Sequence, residues 1–404
     1  MNAGEEALTR AWQNYYSSIE VGRRLMEDTP RFRDHPENRA AVYYTLAEAQ
    51  AMAYNFAVAP RPDFPRVYVQ TTWQTDLYTL GGNDASTYYA SMFLDGNRTY
   101  RVTGRLGDVR IMTLHVASSL GGNPKYRFVD NREFVGSDMK GDRSFEIIFS
   151  ATPRDDTWVR LDPESKYNWI IVRRQMADWF DDAGELRVEL VGRPGTTNDN
   201  DPAQMAERIE RAAEFFTYAI KVWNIGIYDY FKGLSDGRSN MVAFVSPKPG
   251  STGTLGLSPS TDYASAIYAI EADEAIIIET EVPKSAAYWS FHLYDVWGKS
   301  IDFLHHQSDI NMNRAVIDAD DRFRAVISLE DPGVPNWLDP DGRREGLFIM
   351  RNYHGDSHPV PTLRLVKSAD VRKYLPTGTP EITAEHRNQI LNHRLRGLLR
   401  LWGK

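Results

Sequence analysis

Seven consecutive residues, Tyr288-Trp289-Ser290-Phe291-His292-Leu293-Tyr294, alternate in character along the chain. In an extended strand, successive side chains point to opposite faces. Trp289, Phe291 and Leu293 then share an apolar face that meets a core. Tyr288, Ser290, His292 and Tyr294 share a face that is aromatic yet carries hydrogen-bond donors and acceptors. Such a face suits the wall of a cavity for a mostly apolar ligand with one or two polar groups. It would also suit a sheet face covered by a helix. Histidine is the natural proton carrier near neutral pH. With His292 in that part, Tyr294 and Tyr288 are candidate donors, Asp295 a candidate orienter of the imidazole, Ser290 a candidate binding group and Trp297 a stacking wall.

Other clusters carry weaker signals. His305-His306 and the run His354-Gly355-Asp356-Ser357-His358 are local groups that could bind a metal. The second contains glycine and leads into Pro359-Val360-Pro361, which reads as a surface loop. No metal site is assigned to either. No nucleotide-binding glycine pattern follows a strand, no His-Glu-x-x-His is present, and no serine-nucleophile elbow is expected. Hence no organic cofactor is expected.

The elements around these residues read as mainly β with flanking helices. Residues 1–62 form a helical segment, with one helix near Glu5–Met26 and a second starting at Asp34-His35-Pro36-Glu37 and running to about Ala57. Residues 63–195 carry short alternating strands with Gly, Asp and Asn turns. A linker at 192–202 ends in Asp201-Pro202, a capping pair for a long helix over about Ala203–Phe231. That helix lies within a connecting segment 196–235, and its aromatic second half predicts burial between the strand-rich regions. A Gly, Ser and Pro-rich loop covers 233–262. Strands resume within 236–370, and 371–404 ends in a helix capped by Thr383. The basic residues of that helix, Arg387, Arg394, Arg396 and Arg400 among them, read as a solvated face.

The two strand-rich segments repeat each other at a nearly constant separation. Tyr89-Ala90-Ser91 answers Tyr263-Ala264-Ser265, His115 answers His292, and Phe145–Ser150 answers Phe323–Ser328. Trp158 answers Trp337, and Arg173 answers Arg351. The pattern predicts two tandem jelly-roll-like β-sandwich domains from an internal duplication. A residue kept in both halves favours a structural role, which counts against His292 as a catalyst because His115 matches it. Ile111, Thr113 and His115 hold the places of Tyr288, Ser290 and His292, so the tyrosines belong to the second half alone. Arg173 and Arg351 sit on apolar strand faces and need partners there. Asp162 and Asp339, after the repeated tryptophans, are the expected carboxylates.

Composition narrows the function classes. A net charge of −8 disfavours a nucleic-acid partner. With no cysteine, disulfides, thiolate metal sites and a cysteine nucleophile are excluded. No apolar run reaches the roughly 18–20 residues of a membrane span, and no secretory signal is read at the start. The expectation is a cytoplasmic protein with a hydrophobic small-molecule substrate and, through its helices, a possible homo-oligomer.

The run Tyr288–Gly298, with Ala315-Val316-Ile317-Asp318-Ala319-Asp320, Glu330–Asp339 and Arg344-Glu345-Gly346, resembles the domain-of-unknown-function family numbered 1214. Asp95–Gly104, Leu161-Asp162-Pro163 and Arg173-Arg174-Gln175 are similar to its longer members, in which a companion family numbered 1254 supplies the first half. The resemblance implies a β-sandwich architecture and association with catabolism of steroids, terpenoids and aromatics; it supplies no catalytic residues. Together these readings favour a cofactor-independent lyase, isomerase or hydrolase acting on a hydrophobic aromatic or polycyclic molecule by acid/base chemistry. The alternative is a non-catalytic β-sandwich binding module for a carbohydrate or a lipid-like ligand.

Overall fold

The computed structural model describes residues 2–69, 78–154, 157–195, 199–247 and 257–403. Part of the expected linker and part of the expected Gly, Ser and Pro-rich loop lie outside these residues. Helix α1 (Ala3–Glu27) starts at a capping box formed by Asn2 and Glu5. The second helix does not begin at Asp34. Instead α2 (Pro30–Arg33) and a 3-10 turn (Pro36–Asn38) precede α3 (Arg39–Ala53). His35 is the cause: it precedes a proline, which disfavours the helical conformation, and it adopts φ −126° and ψ 85°.

In the first strand-rich region the described residues form β1 (Tyr68–Val69), β2 (Thr87–Leu94), β3 (Tyr100–Arg105), β4 (Ile111–Ala117), β5 (Phe128–Val135), β6 (Ser144–Ser150), β7 (Trp158–Arg160), β8 (Asn168–Gln175) and β9 (Glu185–Leu190). In the second they form β10 (Ala243–Val245), β11 (Thr261–Ala269), β12 (Glu274–Glu281), β13 (Tyr288–Tyr294), β14 (Asp309–Asn311), β15 (Arg322–Ser328), β16 (Trp337–Leu338), β17 (Glu345–Tyr353) and β18 (Thr362–Lys367). The sheet orders are β1-β2-β8-β4-β5 with β7-β6-β3-β9, and β10-β11-β17-β13-β14 with β16-β15-β12-β18. Each strand of one half therefore has its counterpart nine strands on. Even the odd parallel pair recurs, as Ile148 beside Trp158 and Val326 beside Trp337.

Each half is a β-sandwich, and alternation assigns the faces. Met92, Leu114, Ile170 and Val172 of one five-stranded sheet pack on Val102, Ile147 and Phe149 of its four-stranded partner. Phe291, Leu293, Phe348 and Met350 pack likewise on Ile276, Ile278 and Phe323. The opposite faces of both five-stranded sheets turn inward, towards each other and the helices. There Trp169, Ile171, Leu347 and Ile349 join Phe215, Trp223 and Phe231 in one central cluster.

The predicted long helix is α4 (Pro202–Tyr218), a π-helical stretch (Ala219–Gly226) and α5 (Ile227–Leu234). Asp201 caps it through the N–H groups of Ala203 and Gln204. The π stretch carries buried Trp223 and Asn224, and Asn224 donates to the carbonyl of Trp297. The last helix, α6 (Ala384–Leu401), is capped by Thr383 as read from the sequence. Its basic face is not simply solvated, however. Arg387 and Arg394 are buried, and their guanidiniums bond to Asp331 and Asp309 respectively.

Candidate functional site

The strand register superposes the two inward faces residue by residue. On β4, Ile111, Thr113 and His115 lie opposite Gln175, Arg173 and Ile171 of β8. On β13, Tyr288, Ser290 and His292 lie opposite Tyr353, Arg351 and Ile349 of β17. The faces also meet: Ile111 packs against Tyr288, its own counterpart. Each half sends the residues before its second strand across the other half's sheet. Ser86 bonds to Asp309 on β14, and reciprocally Ser260 bonds to Glu133 on β5.

The Tyr288, Ser290 and His292 face is therefore buried under residues 79–86 of the first half. Its hub is Asp84, a residue that the sequence reading passed over. Asp84 accepts hydrogen bonds from the Ser290 hydroxyl at 3.0 Å, the Tyr288 hydroxyl at 3.3 Å and the Ser86 N–H at 2.8 Å. The N–H of Ala85 donates to His292 Nδ1 at 3.4 Å, which leaves the ring proton on Nε2. Nε2 lies 3.2 Å from an Asp84 oxygen, outside the geometry of a ring N–H hydrogen bond. Burial pushes the Asp84 carboxyl up, but His292 and Arg351 outweigh it and hold the group below the usual carboxylate range.

The covering segment is held from behind. Glu48 on α3 accepts the N–H of Leu80 at 3.1 Å and pairs with buried Lys299 at 2.7 Å. Tyr294 donates to the Asn83 carbonyl at 2.7 Å, and Gly82 donates to the Gly298 carbonyl at 3.0 Å. Gly82 needs its freedom here, with φ at +64°.

A second buried carboxylate, Asp309, lies beside His292 across the β13–β14 ladder. Burial raises its carboxyl, yet Arg314, Arg394 and His292 together hold it far below the usual range. Arg314 also donates to the Ser86 hydroxyl at 2.8 Å and stacks over Trp179 at 4.0 Å. Asn311 reaches the Met176 and Ala177 carbonyls at 3.2 and 3.0 Å, tying this strand to the first half.

These groups form the floor of a groove of about 700 Å³ beneath α6. Its apolar walls include Trp179, Ile310, Pro335, Ile382 and Ile390, while Asp309, Arg314, Arg394, His386 and His393 supply polar groups. A sequence signal for it existed: arginines on the last helix at a spacing that faces the domain.

The remaining sequence candidates fall elsewhere. Asp295 does not orient His292. Its carboxylate accepts the N–H groups of Trp297 at 2.8 Å and Lys299 at 3.0 Å, closing the turn after β13. Trp297 is no stacking wall for the His292 face either. It donates to the Asn38 carbonyl at 3.2 Å and, with Asp295, lines a separate polar groove beside residues 341–345. A strand's end points away from its middle, so adjacency in sequence misled. Asp162 and Asp339 are not the partners of Arg173 and Arg351. Asp162 pairs with Arg127 at 2.8 Å and Asp339 with His306 at 2.8 Å. Arg351 instead donates to the Tyr294 hydroxyl at 2.7 Å and the Gly82 carbonyl at 2.5 Å.

His305, His354 and His358 each meet a different carboxylate: Asp302, Glu133 and Asp262. Among the described residues no three His, Asp or Glu side chains gather as a metal set. Gly233-Leu234-Ser235-Asp236-Gly237 has the spelling of a nucleophile elbow, but it ends α5 rather than joining a strand to a helix. Ser235 is buried and donates to the Arg238 carbonyl at 2.9 Å.

No family model and no curated protein matches the chain. Among solved structures it is similar to an uncharacterized protein from Burkholderia cenocepacia, at a TM-score of 0.80 and 23% identity, over 91% of this chain and 99% of that one. That likeness establishes the shared fold: mainly β, with paired sheets and flanking helices. A protein from Vibrio parahaemolyticus aligns over 80% of this chain and 96% of that one, at 14% identity and a TM-score of 0.45, too low to carry an argument. Among the described residues no helix is long and apolar enough to cross a membrane.

Proposed function

We propose that this chain takes a hydrophobic aromatic or polycyclic small molecule in the groove beneath α6. One observation carries the reading: apolar walls border about 700 Å³ over a floor of charge-paired Arg314, Arg394 and Asp309, the last two buried. Small-molecule sites combine such volume, mostly apolar lining and a few fixed polar groups. The arginines favour a ligand with an acidic or carbonyl oxygen at one end.

Acid/base turnover, as a cofactor-independent lyase, isomerase or hydrolase, is the second reading. It is favoured by the line of Asp309, His292 and Asp84 running inward from the groove floor. In it Asp84 takes the orienting part first given to Asp295, with Tyr288, Ser290 and Tyr294 fixing the segment around it. Against it stands the burial of His292, which is 2% exposed. Kinship with the 1214 and 1254 families is part of the same proposal and rests on the sequence motifs alone.

The test is to incubate the full chain with mixtures of aromatic and polycyclic acids and follow them by mass spectrometry. Retention of one class without change supports a binder, and turnover supports the enzyme. Ile390→Trp, which fills the groove, is expected to abolish either. Retention undiminished in that variant would remove the groove from consideration.

A further inference from the structure

The outer face of α3 lacks what a solvent-facing helix normally carries. A surface helix sets charged and polar residues against water. Between Ala40 and Tyr54 the only charged residue is Glu48, which is buried and paired with Lys299. The side turned to solvent consists of Ala40, Tyr43, Tyr44, Ala47, Ala51 and, at the start of a π-helical turn, Tyr54. Tyr43, Tyr44 and Tyr54 are 51%, 57% and 57% exposed. Two of the rings are held in place: the Tyr43 hydroxyl donates to Glu27 at 2.8 Å, and Lys299 Nζ lies 3.9 Å from the centre of the Tyr44 ring.

The surface continues onto α1. Tyr16, Arg23 and Glu27 share one side of that helix by their spacing, and Glu27 is the acceptor for Tyr43. Tyr16 and, one turn before it, Trp12 are 72% and 58% exposed. The charges beside them are paired, Arg23 with Glu20 at 2.6 Å and with Glu27. At roughly 200 Å² for a whole aromatic residue, the five aromatics expose about 600 Å². With the exposed alanines the patch approaches the ~800 Å² that each partner gives to a stable interface. It exceeds the roughly 300–600 Å² of the largest patch on a typical monomer.

The order of residues decides the occupant. Tyr44, Ala47, Ala51 and Tyr54 follow one another at steps of three, four and three, so the row reads the same in both directions. A two-fold axis between Ala47 and Ala51 sets Tyr44 against Tyr54 of the partner subunit and Ala47 against the partner's Ala51. The small residues then lie where the helices approach most closely. Two-fold interfaces require such self-complementarity. A row without charge offers a charged partner nothing to recognise, and it lacks the lysines and arginines of a lipid-facing helix.

We propose that α3 is a dimer interface, with a second copy of this chain packed antiparallel on it about a two-fold axis between Ala47 and Ala51. No residue of α3 beyond Ala41 lines any groove described above, so the dimer stands or falls apart from what the groove beneath α6 binds.

The test is sedimentation velocity on the full chain at micromolar concentration, where twice the chain mass is expected. Ala51→Arg places a good helix former on an exposed position, so the far-ultraviolet dichroism should be unchanged while the mass halves. Because the chain has no cysteine, disulfide formation reports the register. A mixture of Ala47→Cys and Ala51→Cys chains should cross-link far more than either alone, since these positions face each other across the axis. A monomeric native chain, a dimer that persists in Ala51→Arg, or cross-linking of each single variant as complete as that of the mixture would each overturn the proposal. A native monomer that sediments with phosphatidylcholine vesicles would overturn it too, and would give the face to a membrane.

Discussion

His115 and His292 occupy the same place in two copies of one fold, yet their surroundings differ in kind. His292 has Asp84 at 3.2 Å and Asp309 on the neighbouring strand. The matching places around His115 hold Ser258 and Asn131, both uncharged. Among the described residues neither nitrogen of His115 has a hydrogen-bond partner, and its ring rests on Phe128 at 5.2 Å. Burial, with Arg173 nearby, pushes its imidazole down to about 3. The duplicated position is thus a neutral packing group in one half and part of a charged network in the other. The difference comes from the segments that cross between the halves and from the neighbouring strands β14 and β5, not from the strands that carry the histidines.

The largest expected effect lies at the carboxylate that makes this difference. Asp84→Ala strips the partner from Ser290, Tyr288 and His292 at once and should cost about 3–5 kcal/mol in denaturant unfolding. Ser258→Ala, at the matching place, removes a hydroxyl with no hydrogen-bond partner among the described residues and should be neutral or slightly stabilising. Comparable losses in both would end the distinction between the halves. Next comes Arg394→Met, which leaves Asp309 with one guanidinium in place of two. A loss of about 3 kcal/mol is expected, with release of α6 visible by hydrogen exchange at residues 384–401. A loss below 1 kcal/mol would mean that the pair is solvated.

The histidines themselves come third. His292→Gln should cost about 1–3 kcal/mol for lost buried hydrogen bonding. His115→Phe should cost little at neutral pH, since no described residue hydrogen-bonds to the ring. The acid limb should separate them further. A folded imidazole at about 3, against an unfolded value of about 6.5, binds its proton more readily in the unfolded chain. Its contribution is intact above about pH 6.5 and is lost as the pH falls towards 3. His115→Phe should therefore flatten the loss of thermal midpoint across that window. An unchanged acid limb would show that His115 is solvated and charged.

The smallest effect is on the surface of the second half. Asp339 holds the His306 imidazole above its usual value, so this pair stabilises below about pH 6.5 and fades as the pH rises through the raised folded value. Half-exposed, it should contribute less than about 1 kcal/mol. His306→Gln should lower stability at pH 5.5 and leave it unchanged at pH 9, as read from urea midpoints. Asp162, the carboxylate after the other repeated tryptophan, pairs with an arginine, Arg127, in place of a histidine. The first half should lack such a window.

What the sequence determined was periodic or local. Strand alternation assigned Trp289, Phe291 and Leu293 to the core and Tyr288, Ser290, His292 and Tyr294 to one opposite face, because the pleat fixes side-chain direction every second residue. The repeat in residue types carried the duplication and the match of His115 to His292, and capping chemistry placed the starts of α4 and α6. What covers each face was decided by tertiary structure alone. Asp84 reaches His292 across 208 positions of chain, and Arg394 reaches Asp309 from another element again. Such contacts leave no period in the sequence, since a crossing segment needs only a few residues of the right chemistry and no regular spacing. For the same reason Asp295, next to the strand in sequence, was assigned to His292, while in the turn after β13 its carboxylate is taken by the N–H groups of Trp297 and Lys299.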